Sequence, residues 1–181
     1  MTDEAITVGT VRIALVLYVA ASFSRLLGGE RWVRTTRRLW SAGLLFYLAH
    51  VVAAFTFVHG WSHSKAALET ARQTEELFGI ASGAGLFFNY LFTLVWTADA
   101  LWWWMDEEGY RLRPRWLRVL THGFLALMFL NGAVVFAEGF SRWLGLAAAP
   151  PLLFLWLRSR HSSTSRTAES VGNRDTIDPV C

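Results

Sequence analysis

Cysteine is almost absent from this chain: Cys181 is the only one, and it is the last residue. No disulfide can form within the chain. A prenylation signal, which needs three residues after its cysteine, is excluded as well. Charge is scarce too, since Asp, Glu, Lys and Arg make up 17% of 181 residues, against about a quarter in an ordinary globular domain. Catalytic signatures are missing: there is no Ser-His-Asp order, no Cys-x-x-Cys, no Walker loop and no dinucleotide fingerprint. Nothing therefore argues for phosphoryl transfer, acyl transfer or nicotinamide chemistry. An internal repeat is also lacking, which removes the inverted-repeat signature of a transporter.

What the chain does have is apolar bulk. Hydrophobic residues make up 54%, with ten tryptophans and thirteen phenylalanines. A pI near 9.5 invites a nucleic-acid reading. That reading fails on distribution, because the arginines lie between apolar stretches and form no single basic face. Five apolar stretches stand out, over about 6–27, 39–59, 80–104, 117–137 and 143–157. A helix needs roughly 20 apolar residues to cross a hydrocarbon core of about 30 Å. Four stretches meet that length, while the fifth is shorter and carries Pro150-Pro151, as a kinked or partial span would. A soluble bundle would show polar residues every third or fourth position, and Leu44 to Ala49 and Leu125 to Leu130 show none. The expectation is an all-α, polytopic integral membrane bundle over residues 1–158, with the lipid bilayer as its principal partner. The tail, 159–181, has no apolar periodicity and reads as disordered.

Charge placement predicts orientation. Arg25, Arg31, Arg34, Arg37 and Arg38 lie around the first connection, and Arg111, Arg113, Arg115 and Arg118 around the third. Arg158, Arg160, Arg166 and Arg174 follow the fifth span, so thirteen of seventeen basic residues fall on one side. The positive-inside rule puts that side in the cytoplasm and the N-terminus outside, in the inner or plasma membrane of the cell. Trp32, Trp40, Trp102, Trp103, Trp104, Trp116 and Trp156 fall near the same interface, as an aromatic belt does. Asp3 and Glu4 stand where a cleavable signal carries positive charge, so the first span reads as an uncleaved anchor. The external connection 60–79 is expected to hold a short amphipathic helix. Gly79, Ser82, Gly83 and Gly85 give span three a small-residue opening that lets a neighbouring helix approach closely.

Polar groups inside such spans are costly and mark either structural pairs or functional sites. They are Arg12, His50, His59, Asp99, His122 and Glu138, with Asn89 and Asn131. Asp99 and His122 are expected at similar depth, roughly 6 to 8 Å inside the cytoplasmic boundary. There they form either a buried pair that fixes register or a proton-handling step. His59 and His63, spaced i, i+4, are expected on one helix face with Glu138 and Arg12 at comparable height. That set could hold a transition metal ion, or be solvated interface histidines with Glu138 neutralised by arginine. His50 and His122 are the only haem-ligand candidates, and the second lies roughly 8 Å lower, which demands a tilted ring or an unusual ligand. Three functional expectations follow: a metal- or cofactor-binding or proton-relaying membrane subunit; a non-catalytic accessory subunit of a larger complex or homo-oligomer; and a small oligomeric transporter or channel.

Overall fold

The structure, a computed structural model, describes residues 2–27, 32–135, 139, 142–143, 145–151 and 153. Among these the chain is all-helical. Helix α1 spans Thr2–Leu27, and α2 spans Val33–Ala53 and runs on as a π-helical turn, Ala54–His59. Next come α3, His63–Phe78, and α4, Gly85–Met105. A short α5, Glu107–Leu112, leads to α6, Arg115–Leu130, which continues as a second π-helical turn over Asn131–Val135. Residues 142–143, 145–151 and 153 are also helical. Glu138, residues 144, 152 and 154–157 of the expected fifth span, and the tail lie outside the described residues.

Helix boundaries differ from the sequence expectation for identifiable reasons. The second helix begins at Val33, so Arg34, Arg37 and Arg38 stand on its first turns and not in a connection. The three arginines are good helix formers and offset the β-branched Val33, Thr35 and Thr36, and the Thr36 hydroxyl bonds back to the Trp32 carbonyl at 2.9 Å. The third begins at Gly85 and not at 80, because Gly79 adopts φ 72° and closes α3 as a left-handed C-cap. The helix expected within 60–79 is present as α3, started by Ser62, whose hydroxyl accepts from the Lys65 amide at 3.3 Å. Two stretches, Asp3–Leu27 and Val33–His59, are long and apolar enough to cross a membrane. Thus two of the five expected crossings meet that standard among the described residues. Helix α4 has the length but carries Asn89, Asp99 and amphipathic tryptophans, and α6 carries Arg115, Arg118 and His122.

Antiparallel pairing of α1 with α2 is shown by the contacts along them. Thr7 meets His50 near one end, Leu17 meets Gly43 midway, and Ser24 meets Thr36 at the other. Helix α4 lies against α2 in the same sense, through Phe92 on Tyr47 and Trp96 on Trp40. An aromatic cluster joins four helices at mid-bundle. Tyr18 of α1 stacks on Phe129 of α6 at 4.2 Å between centroids, and meets the Trp96 ring edge-on at 5.6 Å. Such ring pairs add about 0.5–1.5 kcal/mol each beyond the area they bury. Small residues admit these rings. A Cβ on Gly43 would lie 3.2 Å from Trp96 and 3.4 Å from Leu17, and one on Gly85 would lie 2.9 Å from Thr70. The small-residue opening of α4 thus receives α3, with Gly83 against the Ala67 backbone.

A testable consequence concerns Gly43. The variant Gly43→Val places branched atoms against two neighbours already near van der Waals contact, an overpacking that costs about 1–3 kcal/mol. Thermal unfolding of the purified chain should show a lower midpoint; an unchanged one means that the α1–α2–α4 packing described here is wrong.

Candidate functional site

The only acidic residue in the middle of α4 is Asp99, and its place in the chain dictates what surrounds it. A carboxylate among apolar helices needs a cation and hydrogen-bond donors, or burial makes it strongly destabilising. Asp106 ends α4 and caps α5, accepting from the Gly109 amide at 2.8 Å. Eight residues after Asp106 the chain meets Pro114. A proline disfavours helical geometry in the residue before it, and Arg113 is extended, with φ −53° and ψ 145°. This corner turns the Arg113 side chain back into the bundle.

There Arg113 Nη1 donates to Asp99 Oδ1 at 2.6 Å, and both side chains are 1% exposed. Nη2 approaches His122 Nε2 at 2.7 Å. A guanidinium has no acceptor, so the imidazole nitrogen accepts, which makes His122 neutral with its proton on Nδ1. Tyr110 donates to Asp99 Oδ2 at 3.0 Å and receives Arg25 Nη1 at 3.3 Å. The Tyr110 ring is sandwiched, with the Arg113 guanidinium 3.8 Å from its centroid and Trp103 stacked at 4.7 Å. Burial pushes the Tyr110 hydroxyl above its ordinary value; Arg25 opposes this and Asp99 adds to it. The phenol therefore remains a donor to Asp99. Nearby, Arg37 ties α2 to the α4–α5 corner through Glu107 at 2.8 Å and lies over Trp104.

Asp99 and His122 are therefore brought together, but not as an adjacent carboxylate and imidazole. Arg113 stands between them, and sequence reasoning had placed it in an aqueous arginine cluster. His59 and His63 do not share a helix face, because Gly60 and Trp61 both take positive φ, 57° and 58°, and break the helix between them. Their rings instead each pack edge-on with Phe55, at 5.6 and 5.4 Å between centroids, and His63 Nδ1 bonds the Tyr90 hydroxyl at 2.7 Å. His50 Nδ1 bonds the Thr7 carbonyl at 2.9 Å, pinning α2 to α1. Asn89 and Arg12 are exposed on the outer faces of their helices, not turned towards His50 or the interior; Asn131 is half-buried at the start of the second π-helical turn. Glu138 lies outside the described residues. Among the described residues no three His, Cys, Asp or Glu side chains converge on a point that could hold a metal.

No family model, no curated protein and no solved structure matches the chain. What the site does must come from its own chemistry, which is that of an internal ion pair with every oxygen of its carboxylate engaged. Replacing Arg113 by Met leaves the Asp99 carboxylate buried and unpaired, which costs about 3–5 kcal/mol. The double variant Asp99→Leu with Arg113→Met removes both charges and should recover most of that stability. Thermal unfolding of the four members of this cycle checks it. A loss in the double variant equal to the sum of the two single losses would show that the two side chains act separately.

Proposed function

We propose that this chain is a multi-pass protein of the cell membrane, N-terminus outside and C-terminus in the cytoplasm, serving as a non-catalytic subunit of a larger membrane assembly. The observation that carries this reading is the inverted placement of polar and apolar groups. Asp99 and Arg113 are buried, whereas Leu45, Leu94 and Leu127, each from the middle of a different helix, are 65%, 66% and 65% exposed. Water-soluble monomers rarely expose apolar faces on several helices at once, while lipid favours that arrangement. Length agrees: α4 has 21 residues, as does α6 together with its π-helical continuation, enough at 1.5 Å each for about 30 Å. The non-catalytic part is supported by the fate of the candidate residues, since Asp99, His122, His50 and His63 are each held by another group of the chain.

Fractionation and end-tagging test the reading together. The untreated chain should sediment with membranes and resist carbonate. Its N-terminal tag should be reachable from outside, and its C-terminal tag only after permeabilisation. Crosslinking in native membranes should then yield a discrete heteromeric species. Recovery in the soluble fraction removes the bilayer from the account, and a chain that crosslinks to nothing removes the assembly.

A second reading, proton handling by Asp99 itself, draws on one observation: its carboxylate is buried in mid-helix and bonded to the titratable Tyr110 hydroxyl, which leads on to Arg25. Proton flux into liposomes carrying the chain, lost in Asp99→Asn, is the outcome that favours it. Liposomes as tight as protein-free controls rule it out.

A further inference from the structure

Helix α1 is one of the two stretches long and apolar enough to cross a membrane, and it carries a charge well inside its apolar run. Arg12 stands six residues past Ile6, about 9 Å along the axis at the usual helical rise. It is exposed, and so are Ile13 and Val16 beside it. Among the described residues no hydrogen bond or ion pair joins Arg12 to another group. The acids of its own helix, Asp3 and Glu4, are too far along the axis to reach it, at about 14 and 12 Å. Asp99 is held by Arg113, and Glu69 and Glu76 by Arg72. The inward face of α1 is already occupied, with Thr7 on His50 and with Ala14, Tyr18 and Ala21 buried. By helical periodicity Ala5, Gly9, Arg12 and Val16 form a stripe on the opposite side, about 60° wide. A Cβ on Gly9 would meet nothing within 4 Å, so this glycine makes room for no described part of the chain itself. Small residues four apart are what allows a second membrane helix to approach closely.

We propose that this face of α1 docks a membrane-spanning helix of another protein, whose Asp or Glu pairs with Arg12. This rests on the membrane-assembly reading above and supplies its contact face and the partner's chemistry. A cation facing hydrocarbon is costly, and such groups are found turned to a bundle interior or paired. In this chain the bundle interior lies on the other side of the helix. A carboxylate on a neighbouring helix supplies the missing charge, and the guanidinium fork takes both of its oxygens. A second copy of the chain is a poor match, because a symmetric contact through the stripe sets two Arg12 side chains against each other.

The test co-expresses the full chain with a designed single-span helix of Leu and Ala. That helix carries one Asp level with Arg12, and lysines at its cytoplasmic end fix its orientation. The photo-crosslinking substitution Val16→benzoylphenylalanine reports contact in isolated membranes. The Asp helix should be captured about ten-fold more than the same helix with Leu in that place, the worth of one strong polar contact between membrane helices. Arg12→Leu should abolish the preference, and Arg12→Lys should keep it. Gly9→Leu, whose added side chain points into open space, should leave the fold intact and weaken capture. Equal capture of the two helices, or a preference unchanged in Arg12→Leu, overturns the pairing and leaves Arg12 reaching along α1 to headgroup phosphates. In native membranes, a heteromer that persists with Arg12→Leu upholds the assembly and overturns this face as its contact. No native heteromer, with the Asp helix still preferred, fails the assembly reading and leaves the docking face standing.

Discussion

One carboxylate constrains this end of the molecule. Asp99 stands in α4 among Trp96, Ala100 and Trp103, all buried. Its charge can persist there only if a cation and a donor reach it without water. The reach is short. Arg113 arrives because α5 is only six residues long and Pro114 forces the chain to turn, and Tyr110 arrives because α5 carries it under Trp103. Slipping α6 by one residue against α4 would rotate His122 away from the guanidinium. The ion pair therefore fixes the register of α4, α5 and α6 at once. A net gain in stability does not follow, since a well-packed apolar replacement is often as good; what the pair supplies is a single arrangement.

Elsewhere the bundle is held by shape. If lipid is the solvent, apolar burial between helices gains little, because hydrocarbon chains are as apolar as leucine, and packing has to carry association. The aromatic cluster of Tyr18, Trp40, Trp96 and Phe129 provides large rigid surfaces. Gly43 opposite Trp96, and Gly83 and Gly85 opposite α3, provide the recesses that receive bulk. The two devices belong together: a ring of that size enters a helix interface only where the facing helix gives up a side chain.

Much of the helical layout was legible, because long runs such as Leu44 to Ala49 admit few other structures, and the amphipathic segment 60–79 announced α3. Boundaries were less so. Hydropathy marks where a chain is apolar, whereas a helix ends where a cap or a positive φ stops it; hence α2 extends back through its arginines and α4 starts late. His59 and His63 misled for a related reason, since i, i+4 spacing implies a shared face only if the helix is continuous, and Trp61 gave no warning of its left-handed backbone. Arg113 was hidden by its neighbours. Among Arg111, Arg115 and Arg118 it looked like one more interfacial charge. The usable signal was Asp99 itself: a lone acid in an apolar span requires a cation, and an arginine immediately before a proline in the next connection is well placed to turn inward.

The identity of the bridging residue also bears on what the site can do. An arginine remains protonated under any condition a protein meets, and it donates without accepting. A proton cannot pass through it by the usual exchange, in which each member of a chain takes one proton and releases another. Asp99 and His122 are thus joined mechanically but insulated from one another chemically, although a direct carboxylate–imidazole contact would have been a plausible relay. The same donor occupies Nε2 of His122, one of the two ring nitrogens through which a histidine can hold a metal. The arrangement that fixes the register therefore keeps Asp99 and His122 from acting on one another as a direct carboxylate–imidazole pair.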